Sequence, residues 1–162
     1  MKLANTVSEE IFRISEEKNI PLYVIFELTH RCNLRCIHCY LPHLNPLPLR
    51  EREEKRGRSR ELTRIEIKSI LDQLVKEGCL HLVFTGGEIF LREDFYEIAS
   101  YARDKGFDLR ILSNGTLINE QTANSISELC PSSVEISLYG AKAVTHDKIT
   151  RSPGSFQKTI KA

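Results

Sequence analysis

Net charge is nearly absent from this sequence. Its 23 Lys and Arg face 22 Asp and Glu, leaving a formal +1, so no global field points to nucleic acid or an anionic membrane as a partner. A long apolar run is missing too: no stretch approaches the ~20 apolar residues needed to span a bilayer, and Met1 to Glu10 lacks the apolar core of a secretory signal. With no membrane segment and no leader in view, a cytoplasmic location is the expectation. There is no internal sequence repeat. What remains is ordinary globular material, 162 residues with 41% hydrophobic and 28% charged, enough for one domain over 1–162 that buries roughly two thirds of its extended surface.

An even set of cysteines is also lacking. There are five, and Cys32, Cys36 and Cys39 crowd into one short stretch, a use that in a reducing compartment suits metal binding better than disulfides. Cys79 and Cys130 each stand just before an apolar, strand-like run and are expected to be buried small side chains.

The apolar pattern alternates between two periods. Residues 7–17 predict a short helix with Ser8 as cap and Val7, Ile11 and Ile14 on one stripe. Leu22 to Phe26 reads as a buried strand continued by Glu27, Leu28 and Thr29. Pro42, Pro46 and Pro48, followed by the charged run 50–60, predict an exposed loop over 41–60, either a solvated excursion or a flap facing a substrate or partner. Thr63 and Glu66 form a capping box ahead of the stripe Ile67, Ile70, Leu71, Leu74, Val75, which Gly78 ends. A strand over 81–85, a helix over 92–105, a strand over 108–113, a helix over 119–129 and a strand over 133–138 follow, and a last helix starts near Gly154 and Ser155.

Strand and helix in alternation predict an α/β fold with a parallel sheet whose faces are covered by helices. Four strands cannot close the usual eight-stranded barrel and leave an edge for more chain or another subunit to cover. The apolar pattern still runs at Ile160, so a truncated product or fragment is expected.

The C-x3-C-x2-C spacing directly after the first strand lets one loop wrap three sulfurs around a small inorganic core. Soft thiolates suit iron-sulfur or zinc and bind magnesium or calcium poorly. Zinc would want a fourth ligand, for which His30, His38 and His43 are candidates; an inert group of reduced cysteines is the remaining alternative.

Further motifs recur one strand at a time. The cysteine segment reads CNLRCIHC over 32–39, Thr85-Gly86-Gly87-Glu88 follows the second strand, Ser113-Asn114-Gly115-Thr116 the third and Ser137-Leu138-Tyr139-Gly140 the fourth. This combination resembles the radical S-adenosylmethionine (SAM) superfamily. His146-Asp147 and Pro153-Gly154-Ser155-Phe156 resemble the subgroup that commonly carries a C-terminal SPASM domain and includes peptide-modifying maturases.

The resemblance implies the amino-terminal part of a (β/α)6 partial barrel, in which Cys32, Cys36 and Cys39 hold a [4Fe-4S] cluster whose open iron chelates SAM. An electron from that cluster would give methionine and a 5'-deoxyadenosyl radical able to take hydrogen from a substrate, a peptide before a small metabolite. Ferredoxin or flavodoxin is the implied reductant. Gly86 and Gly87 would let backbone approach SAM, Glu88 would orient nearby groups, Ser113 and Asn114 would contact the carboxylate or ribose side, and Ser137 the ribose. His38 would pack beside the cluster or adenine, and Tyr40 would wall the pocket. A bulky residue at Gly87 is then expected to weaken SAM binding while sparing the cysteines, which sit on a separate loop. The chain departs from the family pattern at Ile89, where proline is usual, and at Arg151, where glycine is common. The rival readings are an iron-sulfur binding or electron-transfer module and a catalytically inactive truncation.

Overall fold

The computed structural model describes residues 6–41 and 60–162. Most of the predicted charged loop, 42–59, and with it His43, lies outside the described residues. The chain runs α1 (Val7–Lys18), β1 (Tyr23–Thr29), α2 (Arg64–Lys76), β2 (His81–Gly86), a 3-10 turn (Ile89–Leu91), α3 (Phe95–Asp104), β3 (Asp108–Ser113), α4 (Glu120–Glu128), β4 (Ser133–Ile136), α5 (Ala143–Thr150) and α6 (Ser155–Lys161).

The four strands form one sheet in the order β1-β2-β3-β4, parallel throughout. This is the parallel α/β sheet that the alternating pattern predicts, and it forms the partial barrel wall that the resemblance implies. Facing positions such as Phe26, Phe84 and Ile111 lie in register across neighbouring strands. Leu82, Phe84, Leu109 and Ile111 pack with Ile67 and Leu71 of α2 and Phe95, Ile98, Ala99 and Ala102 of α3 in one core. Each large side chain so buried is worth about 1.5–3 kcal/mol, so this layer fixes the strand ends that carry the motifs. Cys79 joins the core as expected.

Several local expectations need correction. The cap of α1 is Thr6: its hydroxyl accepts from Glu9 N, and the Glu9 carboxylate accepts from Thr6 N at 2.7 Å. The predicted stripe on that helix is not a core face, because Val7 and Ile11 are exposed and only Ser15 is buried. Leu41, assigned to the exposed loop, is buried. The helix predicted from residue 92 starts at Phe95, because Arg92 is extended and buried, donating to Leu28 O at 3.0 Å and Leu62 O at 2.8 Å.

Cys130 is exposed rather than buried: it adopts a left-handed φ of 46° where the chain turns out of α4. β4 stops at Ile136, two residues short of its predicted end, although Ser137 N still donates to Ser113 O at 3.1 Å. Helix α5 was not foreseen; Lys142 at its N-cap makes no side-chain cap, so the usual start signal is missing.

Candidate functional site

All four motif loops leave the carboxyl ends of the parallel strands, the edge at which α/β folds place their ligand sites. The first loop carries Cys32, Cys36 and Cys39, all free and half-buried. It is anchored from two sides. Arg35 N donates to Thr150 O at 3.1 Å and Ile37 N to Ile149 O at 2.9 Å, tying the loop to the end of α5. Leu34, between the first two cysteines, is buried.

The second anchor is the Gly86-Gly87-Glu88 turn. The β1–β2 register shifts between Glu27 and Thr29, so that Thr29 faces Gly86. Past that point Gly87 N donates to Thr29 O and Glu88 N to Arg31 O, both at 2.8 Å. A Cβ on Gly86 would lie 2.1 Å from Thr29 O, and one on Gly87 2.1 Å from Arg31 O. Gly86 also holds φ at 135°, a conformation essentially reserved for glycine. The space that these two glycines leave on the Cβ side is therefore filled by the chain's own backbone, one residue before Cys32. The expected independence of Gly87 from the cysteine loop does not hold.

Glu88 is fully buried. Its carboxylate accepts from Ser113 Oγ at 2.9 and 3.0 Å, from Asn114 N at 2.9 Å and from Phe90 N at 3.3 Å. Burial pushes its pKa up, while the N–H groups of Asn114 and Phe90 and the Ser113 hydroxyl pull it down. Buried carboxylates need such donors, and here they come from the loop after β3, so Glu88 braces two motifs together. Asn114 in turn reaches the cysteine loop: its Nδ2 donates to Asn33 Oδ1 at 2.9 Å and to Cys32 Sγ at 3.9 Å. Asn33 Nδ2 donates to Thr116 Oγ1 at 2.8 Å.

His38 packs edge-on against Tyr139 with ring centroids 4.6 Å apart. The Tyr139 ring lies 5.6 Å from that of His146, tilted by 30°, and His146 is buried and accepts from Tyr139 N at 3.2 Å. Tyr40 is exposed beside Glu27. Ser137 is half-buried next to Tyr139. Asn33, Tyr139 and Asp147 escaped the sequence reading as site-shaping residues. Asp147 accepts from Gly154 N at 2.7 Å, Phe156 N at 2.8 Å and Ser155 Oγ at 2.9 Å, closing the α5–α6 turn.

The donor set has the chemistry of a soft-metal site. Burial, and then the neighbouring Cys32 and Cys39, push the Cys36 thiol up to about 11; burial, and then the Glu88 charge, push Cys32 up. A cation held by these thiolates would relieve their mutual repulsion. Among the described residues, however, no three His, Cys, Asp or Glu side chains are gathered around a point that a single metal ion could occupy. The loop carries three thiols without an assembled single-ion cage, and the chemistry of those donors fits a thiolate-held iron-sulfur group.

The model of the radical SAM superfamily matches residues 26–162. The chain belongs to the radical SAM superfamily. Among curated relatives, it is 32% identical over 142 residues to the AdoMet-dependent heme synthase of Methanosarcina barkeri, covering 88% of this chain and 38% of that one. It is 31% identical over 147 residues to the PqqA peptide cyclase of Rhodopseudomonas palustris, covering 91% of this chain and 36% of that one. Among solved structures, Streptococcus suis SuiB bound to precursor peptide SuiA shares the fold with a TM-score of 0.66 at 16% identity, over 97% of this chain and 36% of that one. This radical SAM chain therefore spans about a third of the length of these relatives. Among the described residues, no helix is long and apolar enough to cross a membrane.

Proposed function

We propose that this chain is the amino-terminal part of a radical SAM enzyme in which Cys32, Cys36 and Cys39 hold a [4Fe-4S] cluster and the adjoining loops bind SAM. When bound, the cluster supplies the electron that splits SAM into methionine and a 5'-deoxyadenosyl radical, which takes hydrogen from the substrate. The observation that carries this reading is the meeting of the loop that bears the three thiols with the Gly86-Gly87-Glu88 and Ser113-Asn114 loops at one sheet edge, cross-braced by Glu88 and Asn114.

The residues divide the work. Gly86 and Gly87 keep the turn after β2 tight against Thr29 and Arg31, so backbone carbonyls can face the SAM amino group without intervening side chains. Ser113 and Asn114 are held with little freedom by Glu88, which sets the loop that carries them beside the carboxylate or ribose side; Ser137 supplies a further ribose contact. His38, edge-on to Tyr139, covers the cluster or adenine flank, and Tyr40 forms a wall toward solvent.

A peptide is the proposed substrate class, supported by the likeness to a PqqA peptide cyclase and by the fold shared with peptide-bound SuiB. The likeness to heme synthases favours a tetrapyrrole as the second reading. The reductant is a ferredoxin or flavodoxin, and the location is the cytoplasm, where thiols stay reduced.

Anaerobic reconstitution with iron and sulfide, followed by reduction in the presence of SAM, tests the reaction. Release of 5'-deoxyadenosine is the expected result. Tight SAM binding with no cleavage by a reduced cluster would instead favour an electron-transfer module.

A further inference from the structure

Every polar atom of Asn114 is committed. Its backbone N–H donates to Glu88 Oε2 at 2.9 Å and its carbonyl accepts from Thr159 Oγ1 at 3.0 Å. Its Oδ1 accepts from Thr116 N at 2.9 Å and Thr116 Oγ1 at 2.6 Å. With two donors aimed at Oδ1, the amide has one orientation: Nδ2 faces the cysteine loop and spends its two hydrogens on Asn33 Oδ1 at 2.9 Å and Cys32 Sγ at 3.9 Å. Turning the amide over would set oxygen against Asn33 Oδ1 and Cys32 Sγ, and nitrogen against the Thr116 N–H.

Behind Asn114 stands Glu88, which is fully buried and surrounded by donors that favour its ionised form. Asn114 alone separates its carboxylate from the first cysteine: Asn114 N–H reaches Glu88 Oε2 at 2.9 Å and Asn114 Nδ2 reaches Cys32 Sγ at 3.9 Å. The first cysteine sulfur therefore meets two opposed fields, the positive end of an amide dipole from Asn114 and the negative charge of Glu88. Buried in a half-excluded site, both act with little screening. One electron added to a thiolate-bound iron core makes its sulfurs more negative. A hydrogen-bond donor then stabilises the reduced form and a carboxylate opposes it, which is how protein groups move such potentials.

Resting on the cluster reading above, we infer that Asn114 and Glu88 set the reduction potential of the group held at Cys32, Asn114 raising it through its amide and Glu88 lowering it through its charge while holding Asn114 in place. Asn114 is then a positioning and tuning residue of the cluster loop, with its side-chain amide spent on that loop rather than on SAM.

The test compares the unmodified protein with Asn114→Asp and Glu88→Gln, all reconstituted anaerobically and poised at controlled potentials while the cluster absorbance and electron paramagnetic resonance are followed. Aspartate keeps the acceptor that Thr116 needs and replaces the N–H groups by an anionic oxygen. Glutamine keeps the size of Glu88 and one acceptor for Asn114 N, and removes the charge. The midpoint potential is expected to fall in Asn114→Asp and to rise in Glu88→Gln, shifts of opposite sign that loosened packing alone would not produce. Should Asn114→Asp lose its circular dichroism, Asn114→Ala replaces it, because it too removes the N–H that faces Cys32 Sγ and lowers the potential in the same direction. Unchanged potentials, or shifts of one sign in both variants with iron and sulfide contents intact, overturn this inference and leave the cluster reading standing. An unmodified protein that takes up iron without sulfide removes the cluster reading, and this inference with it.

Discussion

Gly87→Ala puts the packing of the candidate site to a quantitative test. Gly87 is not among the residues of positive φ, so alanine brings no backbone strain of its own and the whole effect is steric. The new Cβ would stand 2.1 Å from Arg31 O, 2.6 Å from Arg31 C and 3.0 Å from His30 O, all of them backbone atoms. The segments that follow β1 and β2 must part by roughly 1 Å, overpacking of the kind that costs about 1–3 kcal/mol. The same movement stretches the 2.8 Å bonds from Gly87 N to Thr29 O and from Glu88 N to Arg31 O, each worth about 1 kcal/mol. The total is about 3–5 kcal/mol out of the ~5–15 kcal/mol typical of a domain, equivalent to a fall in Tm of roughly 10 °C for a chain of this size. Thermal unfolding followed by circular dichroism measures it. Gly106→Ala serves as a control, since its Cβ meets nothing within 4 Å and carries only the strain of a φ of 91°. Because Arg31 adjoins Cys32, Gly87→Ala should also reduce iron uptake. A Tm within about 2 °C of the unmodified protein, with normal iron uptake, would refute the packing argument.

Two further outcomes follow from the α5–α6 turn that anchors the cysteine loop. Arg151 holds the left-handed C-cap of α5 with φ at 53°, so Arg151→Gly should stabilise the protein by about 0.5–1 kcal/mol in denaturant unfolding; a loss of stability would mean that the arginine side chain holds the turn. The backbone N–H groups of Phe156 and Gly154 hold Asp147 below its ordinary value near 3.8. Its folded pKa being lowered, the stability it contributes is present above that ordinary value and is lost as pH falls through the lower folded one. Asp147→Asn should therefore lower Tm at neutral pH, with the difference closing in strong acid; a difference independent of pH would show that its charge plays no part.

The sheet was legible because runs such as HLVFT and DLRILS lie between helices with clear stops, and burial of Leu82, Phe84, Leu109 and Ile111 follows from that pattern. The placement of the four motifs at one edge followed as well, since parallel strands send successive loops to the same side. Glu88 was legible as an orienting residue, but its partners were not: Ser113 and Asn114 come from the next strand, and only the register of β2 against β3 brings them under it. Arg92 looked like the start of a helix because composition cannot reveal that its guanidinium would be spent on Leu28 and Leu62 carbonyls. Helix α5 escaped for lack of a capping side chain at Lys142. The cysteine spacing named three candidate donors and not their separation, because spacing along the chain does not fix how a loop sets its side chains.

Iron and acid-labile sulfide content after anaerobic reconstitution tests the central claim most directly, with Cys36→Ser treated in parallel. The account predicts about four irons and about four sulfides per chain in the unmodified protein and loss of both in Cys36→Ser, since two thiolates do not hold such a core securely. One tightly held zinc with no sulfide, or iron and sulfide unaffected by Cys36→Ser, would contradict it.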